Sequence, residues 1–206
     1  MEKKTAIVTG GSSGIGLAIC ERLLAEGMQV HAISRNPGKK EKKDLLNPVK
    51  LDLSDLDAVS KYGESFVEEN GVPDLLINNA GYGAFYEWKE FPDDEIVRQN
   101  TVLFSAPVFL CKTFAPLMAQ SQKGTLVNVT SLATLFPLPY MPLYNAGKSA
   151  LSSFTQSLML EYPEYPRLID FRSGDVRTSF NRSAPKQVES SQLESMKRAW
   201  EKIEEQ

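Results

Sequence analysis

Thr9-Gly10-Gly11-Ser12-Ser13-Gly14-Ile15-Gly16 constrains this chain more than any other stretch. It follows a short apolar run at 5–9. It precedes apolar residues at helical spacing, Leu17-Ala18-Ile19-Cys20 and Leu23-Leu24, which stop at Gly27. Glycines between a strand and a helix permit positive φ and let a backbone approach a pyrophosphate closely. The helix behind them offers unpaired N–H groups and a positive dipole end. The turn has no Gly-Lys-Ser/Thr ending, so it is not a nucleoside-triphosphate loop. A merely flexible strand–helix turn would use similar residues. The flanking elements decide against that: a strand, the turn, a helix and a second strand at 28–34 come in the order a dinucleotide half-site needs.

The end of that second strand selects the dinucleotide. An acid there would bond the ribose hydroxyls of NAD. This chain has Ser34 followed by Arg35, and a guanidinium can fork a 2′-phosphate. NADP(H) is therefore expected in preference to NAD(H).

The rest of the chain continues the alternation of short apolar runs and amphipathic stretches. Strands are expected at 49–53, 74–78, 124–130 and 168–171. Helices are expected at about 55–69, at 93–120 with Pro107 as a kink, at 144–162 and at 191–205. Leu193, Met196, Trp200 and Ile203 form one stripe of the last helix. The pattern predicts an α/β fold in one domain: a doubly wound parallel sheet of six strands with helices on both faces. With 206 residues, 42% of them hydrophobic, the chain can bury one sizeable core unaided. Residues 179–206 are expected to supply a substrate loop and the terminal helix.

Composition removes several classes. A net charge of -3 argues against nucleic acid as the main partner. No apolar run reaches the ~18 residues of a membrane helix, and the N-terminus lacks a signal-peptide core. Cys20 and Cys111 read as reduced thiols packed in helices, and one histidine, His31, builds no metal site. The expected setting is the cytoplasm, with a small molecule as partner, no nucleic acid and no membrane.

Tyr144 and Lys148 stand four apart at the start of a helix, on one face. A phenol with a pKa of ~10 is a poor proton donor or acceptor at neutral pH, and a neighbouring ammonium lowers that value. Thirteen residues earlier Ser131 closes the fifth strand, where its hydroxyl can hold a carbonyl oxygen. A surface tyrosine beside a snorkelling lysine would give the same pair. The serine at a strand end makes the catalytic reading the stronger one.

These residues resemble the short-chain dehydrogenase/reductase family. The resemblance runs from about Thr5 to Phe180. It implies that the glycine motif (Gly10, Ser12, Ser13, Gly14, Ile15 and Gly16), with Ser34 and Arg35, binds the dinucleotide. It implies that Asp52 and Leu53 contact adenine, and that Asn79, Ala80 and Gly81 line the cofactor after the fourth strand. Ser131, Tyr144 and Lys148 match the family's catalytic serine, tyrosine and lysine, and Tyr144 and Lys148 also meet the cofactor. Ser173-Gly174-Asp175-Val176-Arg177-Thr178 resembles the family's Pro-Gly-x-Val-x-Thr, which puts Val176 and Thr178 at the nicotinamide. The implied activity is NADP(H)-dependent exchange of a carbonyl and an alcohol on a small, largely apolar substrate. The family's habit implies a homodimer or homotetramer.

Two departures stand out. The helical asparagine that anchors the family's proton-relay water falls here on Leu103; either Asn100, one turn earlier, replaces it or the proton path differs. After Thr178 only 28 residues follow, without a further apolar strand. Truncation before a seventh strand would leave an uncovered sheet edge. Two alternatives to the enzyme therefore stay open: a non-catalytic NADPH-sensing protein, and an inactive truncated family member.

Overall fold

The computed structural model describes residues 4–37, 44–174, 176, 185–186 and 194–204. Six strands form one sheet: β1 (Thr5–Thr9), β2 (Gln29–Ser34), β3 (Leu46–Lys50), β4 (Leu75–Asn78), β5 (Thr125–Ser131) and β6 (Arg167–Ser173). Every neighbouring pair is parallel, in the order β3-β2-β1-β4-β5-β6. The helices are α1 (Gly14–Ala25), α2 (Leu56–Asn70), α3 (Asp93–Asn100), α4 (Ala106–Gln120), α5 (Pro142–Glu161) and α6 (Glu194–Glu204). The strand order reverses between β1 and β4, and a doubly wound sheet binds its ligand in the crevice at the strands' carboxyl ends there.

Burial explains the strand composition. Ala6, Ile7 and Val8 of β1 are all fully buried, because both faces of the sheet are covered. Ile7 and Leu76 face a layer built from α2, α4 and α5, around Val59, Phe66, Leu110 and Phe114. Val8, Val30 and Ile77 face α1, against Cys20 and the partly buried Leu23 and Leu24. Asp55 caps α2 by accepting the Ala58 N–H at 3.0 Å, as its position before the helix predicts. His31 is a packed side chain, edge-on to Phe66 at 4.8 Å.

Most element boundaries differ from the sequence expectation by one or two residues, and three elements call for comment. β3 covers Leu46–Lys50 rather than 49–53. Pro48 argues against a strand on pattern alone, yet β3 lies at the sheet edge, where a missing N–H is tolerated. The expected helix at 93–120 is not a single kinked α-helix. Thr101–Ser105 form a π-helical turn between α3 and α4, Pro107 sits in the first turn of α4, and Pro116 is the interior proline. This stretch is also long and apolar enough to cross a membrane by length and composition. Its apolar residues Leu103, Leu110, Phe114 and Met118 are fully or almost fully buried in the protein core. β6 runs two residues beyond the expected 168–171 at its far end and forms the other sheet edge, with Ile169 and Phe171 43% and 50% exposed.

Candidate active site

The glycine turn, Asp52, Asn79-Ala80-Gly81, Ser131, Tyr144 and Lys148 meet at the carboxyl end of the sheet. Gly10 follows β1 at φ +71, and its N–H and that of Gly11 bond the Ile33 carbonyl of β2 at 2.8 and 3.1 Å. Thr9 Oγ1 accepts the N–H groups of Asn79 and Ala80 at 3.0 and 2.9 Å, and the Asn79 amide donates to the Thr9 carbonyl at 2.9 Å. The turn is thus tied to β2 on one side and to the end of β4 on the other. No side chain fits inside it. A Cβ on Gly16 would lie 2.3 Å from the Gly10 carbonyl oxygen, and one on Gly10 would lie 3.0 Å from the Ala80 Cα. Ser13 and Gly14 are exposed at the α1 N-terminus, Ser12 and Ile15 are partly buried, and the first helical turn carries no acid. That leaves the open, positive helix end that an anion needs.

Toward the outer strands lie Ser34, Arg35 and Asp52. Ser34 Oγ is buried with no hydrogen-bond partner among the described residues, while Arg35 is exposed. Asp52 Oδ1 accepts the Ser54 N–H at 3.0 Å and the Ser54 hydroxyl at 2.8 Å; Oδ2 faces Arg98 Nη2 at 3.4 Å. Burial pushes the Asp52 carboxyl up, but the two Ser54 bonds and the charges of Arg98 and Arg35 outweigh it and hold the group below its usual range. Leu53 turns its side chain into the core, so its contribution to a cofactor contact would come from backbone.

On the other side of the switch point, Ser131 ends β5 and caps a 3-10 turn, its Oγ accepting the Ala133 N–H at 3.1 Å. The hydroxyl proton remains available to donate. Tyr144 and Lys148 lie one turn apart on α5, both buried. Lys148 Nζ donates to the Val129 carbonyl, two residues before Ser131, at 2.6 Å. Burial lowers its pKa from 10.5 to about 8. Leu103 Cδ2 and Lys148 Nζ lie 3.0 and 3.3 Å from where a Gly81 Cβ would stand, so both side chains close over Gly81. Asn100 does not replace the relay asparagine: it is exposed, and its amide bonds the Ile96 carbonyl at 3.0 Å.

Above Tyr144 an apolar cluster joins Phe85, Leu103, Ala133 and Met141 to Met196 and Trp200 of α6. Phe85 meets Trp200 edge-on at 5.0 Å, and Tyr140 Oη lies 2.7 Å from Ser195 Oγ. Leu135, Phe136 and Trp88 are large apolar side chains left exposed. Val176 is exposed as well; Thr178, residues 38–43 of the basic loop, and Leu193 fall outside the described residues.

Residues 4–189 match the family model for short chain dehydrogenase. The chain is a member of that family. A 3-ketodihydrosphingosine reductase of Bacteroides thetaiotaomicron is 29% identical over 181 residues, 87% of this chain and 66% of that protein. Of this and two further curated relatives the chain spans 66%, 54% and 55% of their length. Among solved structures, 4-hydroxyisoleucine dehydrogenase with NADH superposes at a TM-score of 0.79 with 28% identity, covering 85% of this chain and 77% of that one. An alcohol dehydrogenase of Thermococcus sibiricus with 5-hydroxy-NADP superposes at 0.78 with 25% identity, over 98% and 89%.

The cleft fits a dinucleotide on its own geometry. The glycine cradle admits backbone contact only, and the buried Ser34 hydroxyl at the cleft edge lacks a partner among the described residues. Sequence reasoning passed over three positions. Thr9 opens the glycine motif at a strand end, but nothing in the sequence shows that its hydroxyl organises the end of β4. Asn145 bonds both backbone groups of Leu138, at 3.1 and 2.8 Å, and so latches the loop after Ser131 onto α5. Arg98 lies on a helix with no motif to mark it. An Asn immediately after the tyrosine was the one visible signal, since asparagine readily bonds nearby backbone.

Proposed function

We propose that this protein is an NADP(H)-dependent oxidoreductase that interconverts a carbonyl and an alcohol on a largely apolar small molecule. The observation that supports it most is that Ser131, Tyr144 and the buried Lys148 lie at the same sheet end as the glycine cradle. The dinucleotide, when bound, supplies or accepts the hydride. In reduction, Ser131 Oγ donates a hydrogen bond to the substrate oxygen and favours the negative charge developing there. Tyr144 passes its phenolic proton to that oxygen as the carbon is reduced. Lys148 stays largely protonated at neutral pH, favours the phenolate left behind, and holds the nicotinamide ribose. Phe85, Leu103 and Met141 would keep water from the reacting groups and select apolar substituents.

Gly10, Ser12, Ser13, Gly14, Ile15 and Gly16 would hold the pyrophosphate; Asp52, Leu53, Asn79, Ala80 and Gly81 the adenosine side and the cleft floor; Val176 and Thr178 the carboxamide. Ser34 and Arg35 would read the 2′-phosphate. The proposed setting is the cytoplasm, in keeping with the buried thiols of Cys20 and Cys111. A homodimer or homotetramer is the proposed assembly. Leu103 beside Lys148 favours one second reading, a cofactor-binding protein without turnover.

Titration with NADPH and NADH tests the cofactor assignment. NADPH should bind at least tenfold more tightly, and Arg35→Ala should remove that preference while leaving NADH unchanged. Equal affinities for the two in the unaltered protein would refute the 2′-phosphate reading. Turnover with an apolar ketone would exclude the second reading.

A further inference from the structure

β6 closes the sheet opposite β3, and no strand lies along its outer edge among the described residues. The Arg167 N–H bonds the Gly124 carbonyl, just before β5, at 3.0 Å, and the parallel register runs on to Ser131 and Ser173. Backbone groups alternate in direction along a strand. Arg167, Ile169, Phe171 and Ser173 therefore turn theirs to β5, while Leu168, Asp170 and Arg172 turn theirs outward. Such an unpaired row is a template for another strand. Side chains alternate between the faces as well. Leu168 and Asp170 face α5, whereas Ile169 and Phe171 lie on the opposite face and are exposed.

The charges on β6 decide which strand fits this edge. Asp170 and Arg172 flank Phe171, and Arg172 Nε donates to Asp170 Oδ2 at 3.0 Å. Asp170 also accepts the Thr130 and Ser152 hydroxyls. Burial pushes its carboxyl up, but these bonds and the Arg172 charge outweigh it and hold the group below its usual range. A second β6 laid antiparallel must set outward-turned residues against outward-turned residues. A two-fold at Asp170 would set carboxylate against carboxylate, which destabilises a cross-strand pair. A two-fold at Ile169 would set Asp170 against Leu168 and leave both charges without a counterpart. A two-fold at Phe171 sets each Asp170 against the Arg172 of the other copy. There the paired residues exchange both backbone bonds, the charges alternate in sign, and the two exposed Phe171 rings meet at a closely spaced position.

We propose that β6 pairs antiparallel with β6 of a second copy of this chain about a two-fold at Phe171, so that the two sheets run on into one. The helices allow it. α5 lies over both β5 and β6, with Lys148 bonded to the Val129 carbonyl and Ser152 to Asp170. Strands ~4.8 Å apart then bring the α5 helices of the two copies about 10 Å apart, the spacing of packed helices. Gln156 Nε2 bonds Ser152 Oγ at 3.2 Å, which marks the β6 flank of α5. Leu160, one turn further on that flank, is 86% exposed and faces the second copy. The pairing leaves the crevice between β1 and β4 open. The inference names the surface that would hold the proposed homo-oligomer, and it depends on neither the cofactor nor the reaction.

Sedimentation velocity over a concentration series tests the association. The unaltered protein should run as a dimer or as a tetramer that contains it. Phe171→Lys puts a charge at an exposed edge position and should halve the assembled mass, with far-UV circular dichroism unchanged. Arg172→Glu sets acid against acid and should weaken the assembly about tenfold or more. Phe171→Cys tests the register. Facing residues at a closely spaced position stand about 4.5 Å apart at Cα, within disulfide reach, so mild oxidation should link two chains. Ile169→Cys should not link to itself, because each lies opposite Ser173. Cys20 and Cys111 are buried and do not compete. A monomer at every concentration would overturn the proposal and the homo-oligomer with it. An assembly that Phe171→Lys leaves whole would overturn the proposal alone and move the contact to another surface. Linkage in a mixture of Ile169→Cys and Phe171→Cys, but in neither by itself, would put the two-fold at Asp170 and overturn the charge argument.

Discussion

At the glycine turn a single methyl group has nowhere to go. A Cβ on Gly16 would meet a backbone oxygen at 2.3 Å, and the turn's own amides and the Thr9 hydroxyl are tied to β2 and β4. Above Tyr144 the walls are side chains instead, contributed by four separate stretches of chain: Phe85, Leu103, the 133–144 segment, and Met196 with Trp200. The first region is close-packed backbone braced by the Thr9 and Asn79 side chains, with no room for added bulk. The second changes its outline with each residue that lines it. A common cofactor and a variable substrate call for that division, because a pocket follows its lining side chains.

Tyr144→Phe cuts deepest into this comparison. It leaves the backbone-built end intact and removes one oxygen from the other end. Turnover should fall about 10³-fold, the range for losing a positioned proton donor, with a far smaller change in NADPH affinity. Steady-state rates and a binding isotherm on the same sample measure both. Undiminished turnover would take Tyr144 out of its role and with it the assignment of this cluster as the reacting end.

Lys148 joins the two regions, and its burial has a stability cost with a defined pH window. The unfolded chain keeps this proton to pH 10.5, while the folded protein releases it near 8. Between those values the unfolded state binds more protons, so stability rises with pH. A fall of about 2.5 pH units corresponds to roughly 3 kcal/mol. Denaturant midpoints of the ligand-free protein should therefore rise from pH 8 to 10 relative to Lys148→Met, which lacks the window. Parallel pH profiles for the two proteins would show that the ammonium is better solvated than its surroundings imply.

Gly16→Ala attacks the backbone region directly. The nearest atom, the Gly10 carbonyl oxygen, is backbone, so relaxation must shift the turn or α1 as well as the Asn79 side chain, and overpacking of this kind costs roughly 1–3 kcal/mol. The melting temperature should drop, and added NADPH should no longer raise it as bound ligand does in a competent fold. A variant that melts lower but still gains stability from NADPH would show that the cradle has more give than its geometry suggests.

The contrast also decides what could be read without coordinates. The glycine motif, Ser131 and the Tyr144–Lys148 pair are short-range patterns whose spacing maps directly onto one turn or one helix face, and the structure brings them to one end of the sheet. The six-strand parallel order followed from the alternation of elements. β3 was displaced because Pro48 penalises a strand only if the strand is central, and centrality is not a local property. The π turn at Thr101–Ser105 was invisible because a single wide turn barely disturbs a helical period, yet it turns Leu103 inward and Asn100 outward. Arg98 and the Met196–Trp200 cover required knowing which distant segments touch.

Trp200 gives the smallest expected effect and the sharpest separation of the two regions. Phe114, buried between α4 and the sheet, is edge-on to Phe66 at 5.7 Å, in the same core layer as Ile7 and Leu76. Replacing it by alanine should cost 3–5 kcal/mol, about the usual amount for a core aromatic. Trp200 is almost as well buried, at 5% exposure, but its burial comes from docking one helix onto Phe85, Met141 and Tyr144. Such a helix can leave while the sheet stays folded, so Trp200→Ala should cost less than about 1 kcal/mol of global stability. It should instead increase hydrogen exchange in α6 and expose the neighbourhood of Tyr144. Trp88 is 62% exposed, so in a Trp88→Phe background the emission of Trp200 alone reports α6. An apolar substrate that enters beside Tyr144 should red-shift that emission, since the indole must give up its place. A loss of 3 kcal/mol or more in Trp200→Ala would mean that α6 belongs to the same cooperative core as the sheet, and the distinction between the two ends of the cleft would then be one of composition only.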